Sequence, residues 1–80
     1  MSRDEFITLI ESIGFKHNKI YDYYEYKEFS IELFNDYFDF WDDIVCIRFI
    51  SFNNLEHIKN CFKKELRTIK LKQLLGEPRL

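Results

Sequence analysis

Alanine is absent from this 80-residue chain, and it holds only two glycines and one proline. With Gly14 and Gly76 alone, no glycine-rich phosphate cradle or dinucleotide fingerprint can be assembled, because those loops need glycine at several fixed spacings. Low-complexity and linker-like character is excluded as well, since 46% hydrophobic and 32% charged residues make a globular composition. No apolar run approaches the ~20 residues that a membrane span requires. Met1-Ser2-Arg3-Asp4-Glu5 is not followed by the apolar core of a signal peptide. A soluble, cytoplasmic protein with no membrane contact is therefore expected. Cysteine is scarce too: Cys46 and Cys61 lack a CxxC spacing. Each sits among apolar neighbours, so both are expected to be reduced thiols in the core.

Chemistry-bearing clusters are equally thin. His17 and His57 are isolated in the sequence, and nothing pairs either with a nucleophile. Asp36, Asp39, Asp42 and Asp43 lie close together, but Tyr37, Phe38, Phe40 and Trp41 interrupt any calcium-loop pattern. Their expected place is a solvated sheet edge. The sequence thus predicts no enzyme, no metal and no cofactor.

What is abundant is aromatic surface. Residues 21–43 hold ten of the aromatics and eight acids against one base, Lys27, for a net charge of −7. Residues 44–80 carry eight bases against three acids, net +5. The overall charge of −2 conceals this segregation, which bears on partners more than on fold. The lack of Ala and the excess of Ile, Lys, Asn, Phe and Tyr fit an AT-rich coding genome, such as that of a phage, a virus or a low-GC bacterium.

Local patterns predict the elements. Ser2-x-x-Glu5 is a capping box, and Phe6, Leu9, Ile10 and Ile13 recur at helical spacing before Gly14, so a helix is expected over about 3–13. Residues 19–52 are rich in β-branched and aromatic types and read as strands. The first covers Ile20 to Tyr26, with a turn at Lys27-Glu28. The second covers Phe29 to Leu33, with a turn at Asn35-Asp36. Residues 37–41 either extend the second strand or form a short one of their own. Ile44 to Phe52, the most apolar, is a candidate for the sheet centre. Asn53, with Glu56 three residues on, is the expected cap of a second helix whose seam is Leu55, Ile58, Phe62, Leu66 and Ile69. Leu71, Leu74 and Leu75 fall off that seam, which implies a bend near Thr68 or a second apolar face. Gly76-Glu77-Pro78 ends it.

The result is one α+β domain over residues 1–80, with 76–80 a short tail. Its order is α-β-β-β-α: an antiparallel sheet of three strands, or four if residues 37–41 stand alone, with two helices packed on one face. Double-stranded RNA-binding domains share that order but place a Lys cluster at the start of the second helix. Here Asn53-Asn54-Leu55-Glu56-His57 holds none before Lys59, so the likeness stops at topology.

The functional expectation is a non-catalytic interaction module. Tyr and Trp offer large rigid contact area, and carboxylates around them suit a basic partner. Tyr23, Glu25, Asp36, Tyr37, Asp39, Trp41 and Asp42 are the candidate partner-binding residues. A phage- or virus-type inhibitor of a basic host or defence protein that handles nucleic acid, acting in the host cytoplasm, fits this size and charge. Two alternatives accompany it. Lys59, Lys63, Arg67 and Lys70 are spaced for one basic helix face that tracks phosphates. Leu71, Leu74 and Leu75 are the candidate contacts of a homo-oligomer, including a self-assembling structural subunit.

Overall fold

The computed structural model describes residues 1–75, with side chains described through Ile69. Helix α1 spans Arg3–Ile13. The Ser2 hydroxyl accepts the Glu5 amide, and the Glu5 carboxylate accepts the Ser2 amide in return. This satisfies two of the orphan donors at the helix start. At the other end Gly14 takes φ +135°, a region open to glycine but strained for other residues, and the Gly14 and Phe15 amides return to the Ile10 carbonyl. That closure drops Phe15 into the core.

Five strands follow: β1 Lys16–Asn18, β2 Tyr23–Tyr26, β3 Phe29–Leu33, β4 Phe38–Asp42 and β5 Val45–Phe49. They form an antiparallel meander in chain order. The α+β class and the antiparallel sheet match expectation, but the strand count does not. β1 is three polar residues with no apolar alternation, and it exists because Lys16, His17 and Asn18 find partners in Glu25, Tyr24 and Tyr23. The residues before β2, expected as strand, are a loop. The Asn18 side chain accepts the Ile20 and Tyr21 amides, and Asp22 turns at φ 55°. β4 is separate because Asn35-Asp36 makes a tight hairpin, closed by the Phe34 amide on the Tyr37 carbonyl. β5 is not central but an edge: it is the last strand of a meander, and only Ile47 and Phe49 of its five residues turn partly inward.

The second helical segment is broken. Helix α2 spans Glu56–Cys61 and helix α3 spans Lys63–Leu75. The break falls at Phe62, φ −120° and ψ 36°, and not near Thr68. Phe62 is buried, with its ring 4.9–6.1 Å from the rings of Phe29, Phe15, Tyr26 and Phe40. The break thus coincides with a side chain anchored among rings from other parts of the chain, and neither Gly nor Pro stands there. Asn53 does not cap α2. Leu55 occupies the cap position without a side-chain bond, while the Asn53 side chain accepts from the chain's N-terminal ammonium.

The core lies between one sheet face and the helices. Phe6, Ile10 and Ile13 of α1, Ile31, Phe38 and Phe40 of the sheet, and Ile58 of α2 are all buried, joined by Phe15, Phe52 and Phe62. Leu55, Leu66 and Ile69 pack against it, completing the expected seam. All three helices therefore sit on the same side of the sheet. Among the described residues, none is long and apolar enough to cross a membrane. The expected stop at Gly76-Glu77-Pro78 and the 76–80 tail lie outside the described residues.

Candidate interaction face of the sheet

Strand alternation sends every second side chain away from the helices. The register assigns that outer face. Lys16, Glu25, Ser30, Trp41 and Cys46 form one row across all five strands, and Glu32, Asp39 and Arg48 form the next. Tyr23 stands on β2 at the same parity as Glu25. No described element covers this face, and Trp41 remains 40% exposed on it.

Its electrostatics are less acidic than residues 21–43 suggest. Asp39 is 6% exposed, and both its oxygens are held by Arg48, Nε to Oδ1 at 2.8 Å and Nη2 to Oδ2 at 3.1 Å. This fork-to-fork geometry lifts the Arg48 pKa above its ordinary value. The guanidinium also lies 4.7 Å from the centre of the Tyr37 ring and 5.8 Å from that of Phe34, two rings stacked 4.5 Å apart. Glu25 accepts from the Asn18 amide group at 3.0 Å. Most of the remaining acids stand at the turns, where Asp22 and Asp43 take positive φ. Glu28 and Asp43 meet at one end of the sheet, the Asp43 amide donating to the Glu28 carbonyl at 3.2 Å.

A hollow of about 290 Å³ opens on this face, lined by Tyr23, Ser30, Glu32, Trp41 and Asp43. Two aromatic walls and two carboxylates make it suited to a cationic side chain, which gains from both ring faces and charge. Of the residues singled out from sequence, Tyr23 and Trp41 meet here, while Glu25 lies on the same face. Asp39 and Tyr37 are engaged with Arg48. Asp36 is in the β3–β4 hairpin, and Asp42 pairs with Phe29 and Val45 on the helix-facing side, exposed at the sheet end. Glu32, Ser30 and Asp43 were not among the expected partner-binding residues; alternation of Ser30 and Glu32 with Phe29, Ile31 and Leu33 was the signal for the first two.

The remaining candidates fall elsewhere. Lys59, Lys63 and Arg67 are exposed and share one wall of a groove of about 760 Å³, with Glu5, Leu9 and Ser12 of α1 across from them. The side chains of Lys70, Leu71, Leu74 and Leu75 lie outside the described residues. Cys46 and Cys61 are exposed, not core residues: alternation turns Cys46 to the outer face, and Cys61 points outward from α2 with its Sγ 3.5 Å from His57 Nε2. Desolvation by neighbouring atoms, with a smaller push from Asp39 on Cys46 and Asp42 on Cys61, holds both thiols above their ordinary pKa. His57 is half-buried, with its ring near those of Phe40 and Phe49. Among the described residues, no three His, Cys, Asp or Glu side chains are grouped as a metal site. A scan against protein-family models and searches of curated proteins and of solved structures found no match to this chain, so function is read from the chemistry of the site itself.

Proposed function

We propose that this protein is a non-catalytic interaction module whose uncovered sheet face receives a basic partner. One observation carries the reading: Tyr23 and Trp41 wall a hollow whose polar lining includes Glu32 and Asp43, on a face that no described helix covers. A lysine or arginine of the partner fills the hollow, and the surrounding turn acids speed its approach. Raised thiol pKa values also speak against cysteine nucleophiles, which need a lowered one. Small size, segregated charge and an AT-rich composition support the finer reading, an inhibitor or modulator of a nucleic-acid-handling protein in a phage- or virus-infected cell.

Trp41 is the chain's sole tryptophan, so its fluorescence reports on the site directly. Titration with a lysine- and arginine-rich peptide should change that emission, with affinity falling as salt rises. Glu32→Lys combined with Asp43→Lys should abolish the response, and Trp41→Ala, followed by calorimetry, should weaken binding by about thirtyfold, as for an interface anchor worth ~2 kcal/mol. No response, or a salt-independent one, overturns the proposal. A second reading rests on the alignment of Lys59, Lys63 and Arg67 along one groove wall. Duplex binding at physiological salt that each Lys59→Ala, Lys63→Ala and Arg67→Ala change weakens would favour it instead.

A further inference from the structure

The two edges of the sheet are protected very differently. β1 is three residues long, Lys16-His17-Asn18, and its charge and brevity are common guards against strand addition. β5 is longer, and its one charge, Arg48, is already paired with Asp39. Among the described residues no strand pairs with its outer side. Large apolar side chains stand in solvent along β5 and at its ends: Ile44 is 83% exposed, Val45 58% and Ile50 81%. In an antiparallel ladder, alternate residues of an edge strand aim their N–H and C=O groups outward, and these need a partner or water.

The segment Ile44-Val45-Cys46-Ile47-Arg48-Phe49-Ile50 is also self-complementary. If two copies run antiparallel about Ile47, Ile44 faces Ile50, Val45 faces Phe49, and Cys46 faces Arg48. Every exposed apolar residue of the segment then meets an apolar one. The only charge in the segment, Arg48, is already bound by Asp39 and stands opposite a neutral cysteine. A register centred on Arg48 would set two guanidinium groups against each other, and one centred on Cys46 would set Ile44 against Arg48.

We propose that β5 is a self-association edge: a second copy of this chain adds through β5 about a two-fold axis at Ile47, joining two five-stranded sheets into one of ten. The pairing is isologous, so it closes at two copies. It also places two copies of the outer face side by side. It does not depend on the nature of any other partner, because it is measured on the isolated protein.

Sedimentation at roughly 0.5 mM, where even a small interface associates, should show a reversible dimer. Ile44→Lys with Ile50→Lys changes two solvent-exposed side chains outside the core and should leave circular dichroism unchanged while weakening dimerisation at least tenfold. Register is read by disulfide trapping in a Cys46→Ser/Cys61→Ser background. Ile44→Cys with Ile50→Cys should give a covalent dimer under mild oxidation. Ile44→Cys alone should not, since the two copies of residue 44 would lie six residues, about 20 Å, apart along the strands. A wild-type monomer, a dimer indifferent to the lysines, or efficient cross-linking by Ile44→Cys alone overturns the proposal. Should the lysine variant fail to fold, the trapping result decides.

Discussion

Replacing Tyr26 by Phe removes one hydroxyl from the point where the sheet is tied to α3. That hydroxyl donates to Glu65 Oε2 at 2.8 Å, a bond spanning 39 positions of the chain. The Tyr26 ring itself stays packed against Phe15 and Phe62. A hydrogen bond to a charged acceptor contributes about 1.5–3 kcal/mol. Here the figure is reduced, because the Glu65 side chain is 19% exposed and keeps Lys27 at 3.5 Å. Tyr26→Phe should therefore cost about 1–2 kcal/mol, or roughly 4–16 °C in Tm for a domain of this size. The loss should depend on pH. The Tyr26 hydroxyl, followed by smaller effects that include Lys27, holds the Glu65 carboxyl below its ordinary value of 4.5. A lowered folded-state pKa gives stability that is full above the unfolded value and disappears as pH falls through the folded one. Urea unfolding at neutral pH and at about pH 3 should show the gap between wild type and Tyr26→Phe narrowing in acid. A gap under about 0.3 kcal/mol at neutral pH, or one that acid leaves unchanged, would refute the assignment of this bond as a charge-assisted tether.

Gly14→Ala should destabilise by about 1–3 kcal/mol in denaturant unfolding, from its backbone conformation alone. Its new Cβ would also stand 2.7 Å from the Tyr26 ring, so the ring must shift; an unchanged midpoint would contradict this. Arg48→Met should lower Tm more than Asp39→Asn, because the first strands a buried carboxylate and the second leaves a guanidinium in solvent. Adding Asp39→Asn to Arg48→Met should recover part of the loss, and the opposite order in thermal melts would show that the pair is incidental.

Features whose physics is local can be read from the chain before it folds. The capping box of Ser2 and Glu5, the closure at Gly14 and the apolar stripe of α1 involve residues three to five apart, so α1 is legible to the residue. Alternation along Phe29–Leu33 and the turn chemistry of Lys27-Glu28 and Asn35-Asp36 placed β3 and its hairpins. The seam of Leu55, Ile58, Phe62, Leu66 and Ile69 foretold which side of the second helical segment meets the core.

Features that depend on distant partners emerge with the folded chain. β1 has no pattern of its own and is a strand because β2 offers its edge. The apolar content of residues 44–52 suggested a central strand, yet the meander puts β5 last, where one of the two flanking strands is missing. Phe62, at the break, packs against rings contributed by β2, β3, β4 and the α1–β1 junction, which no local window contains. Burial and pairing likewise converted Asp39 from a free acid into half of an ion pair, and alternation turned Cys46 outward. Charge read along a chain counts residues. Charge read on a surface counts only those that neighbours leave unpaired, and here that difference moved the candidate site to Tyr23, Glu32, Trp41 and Asp43.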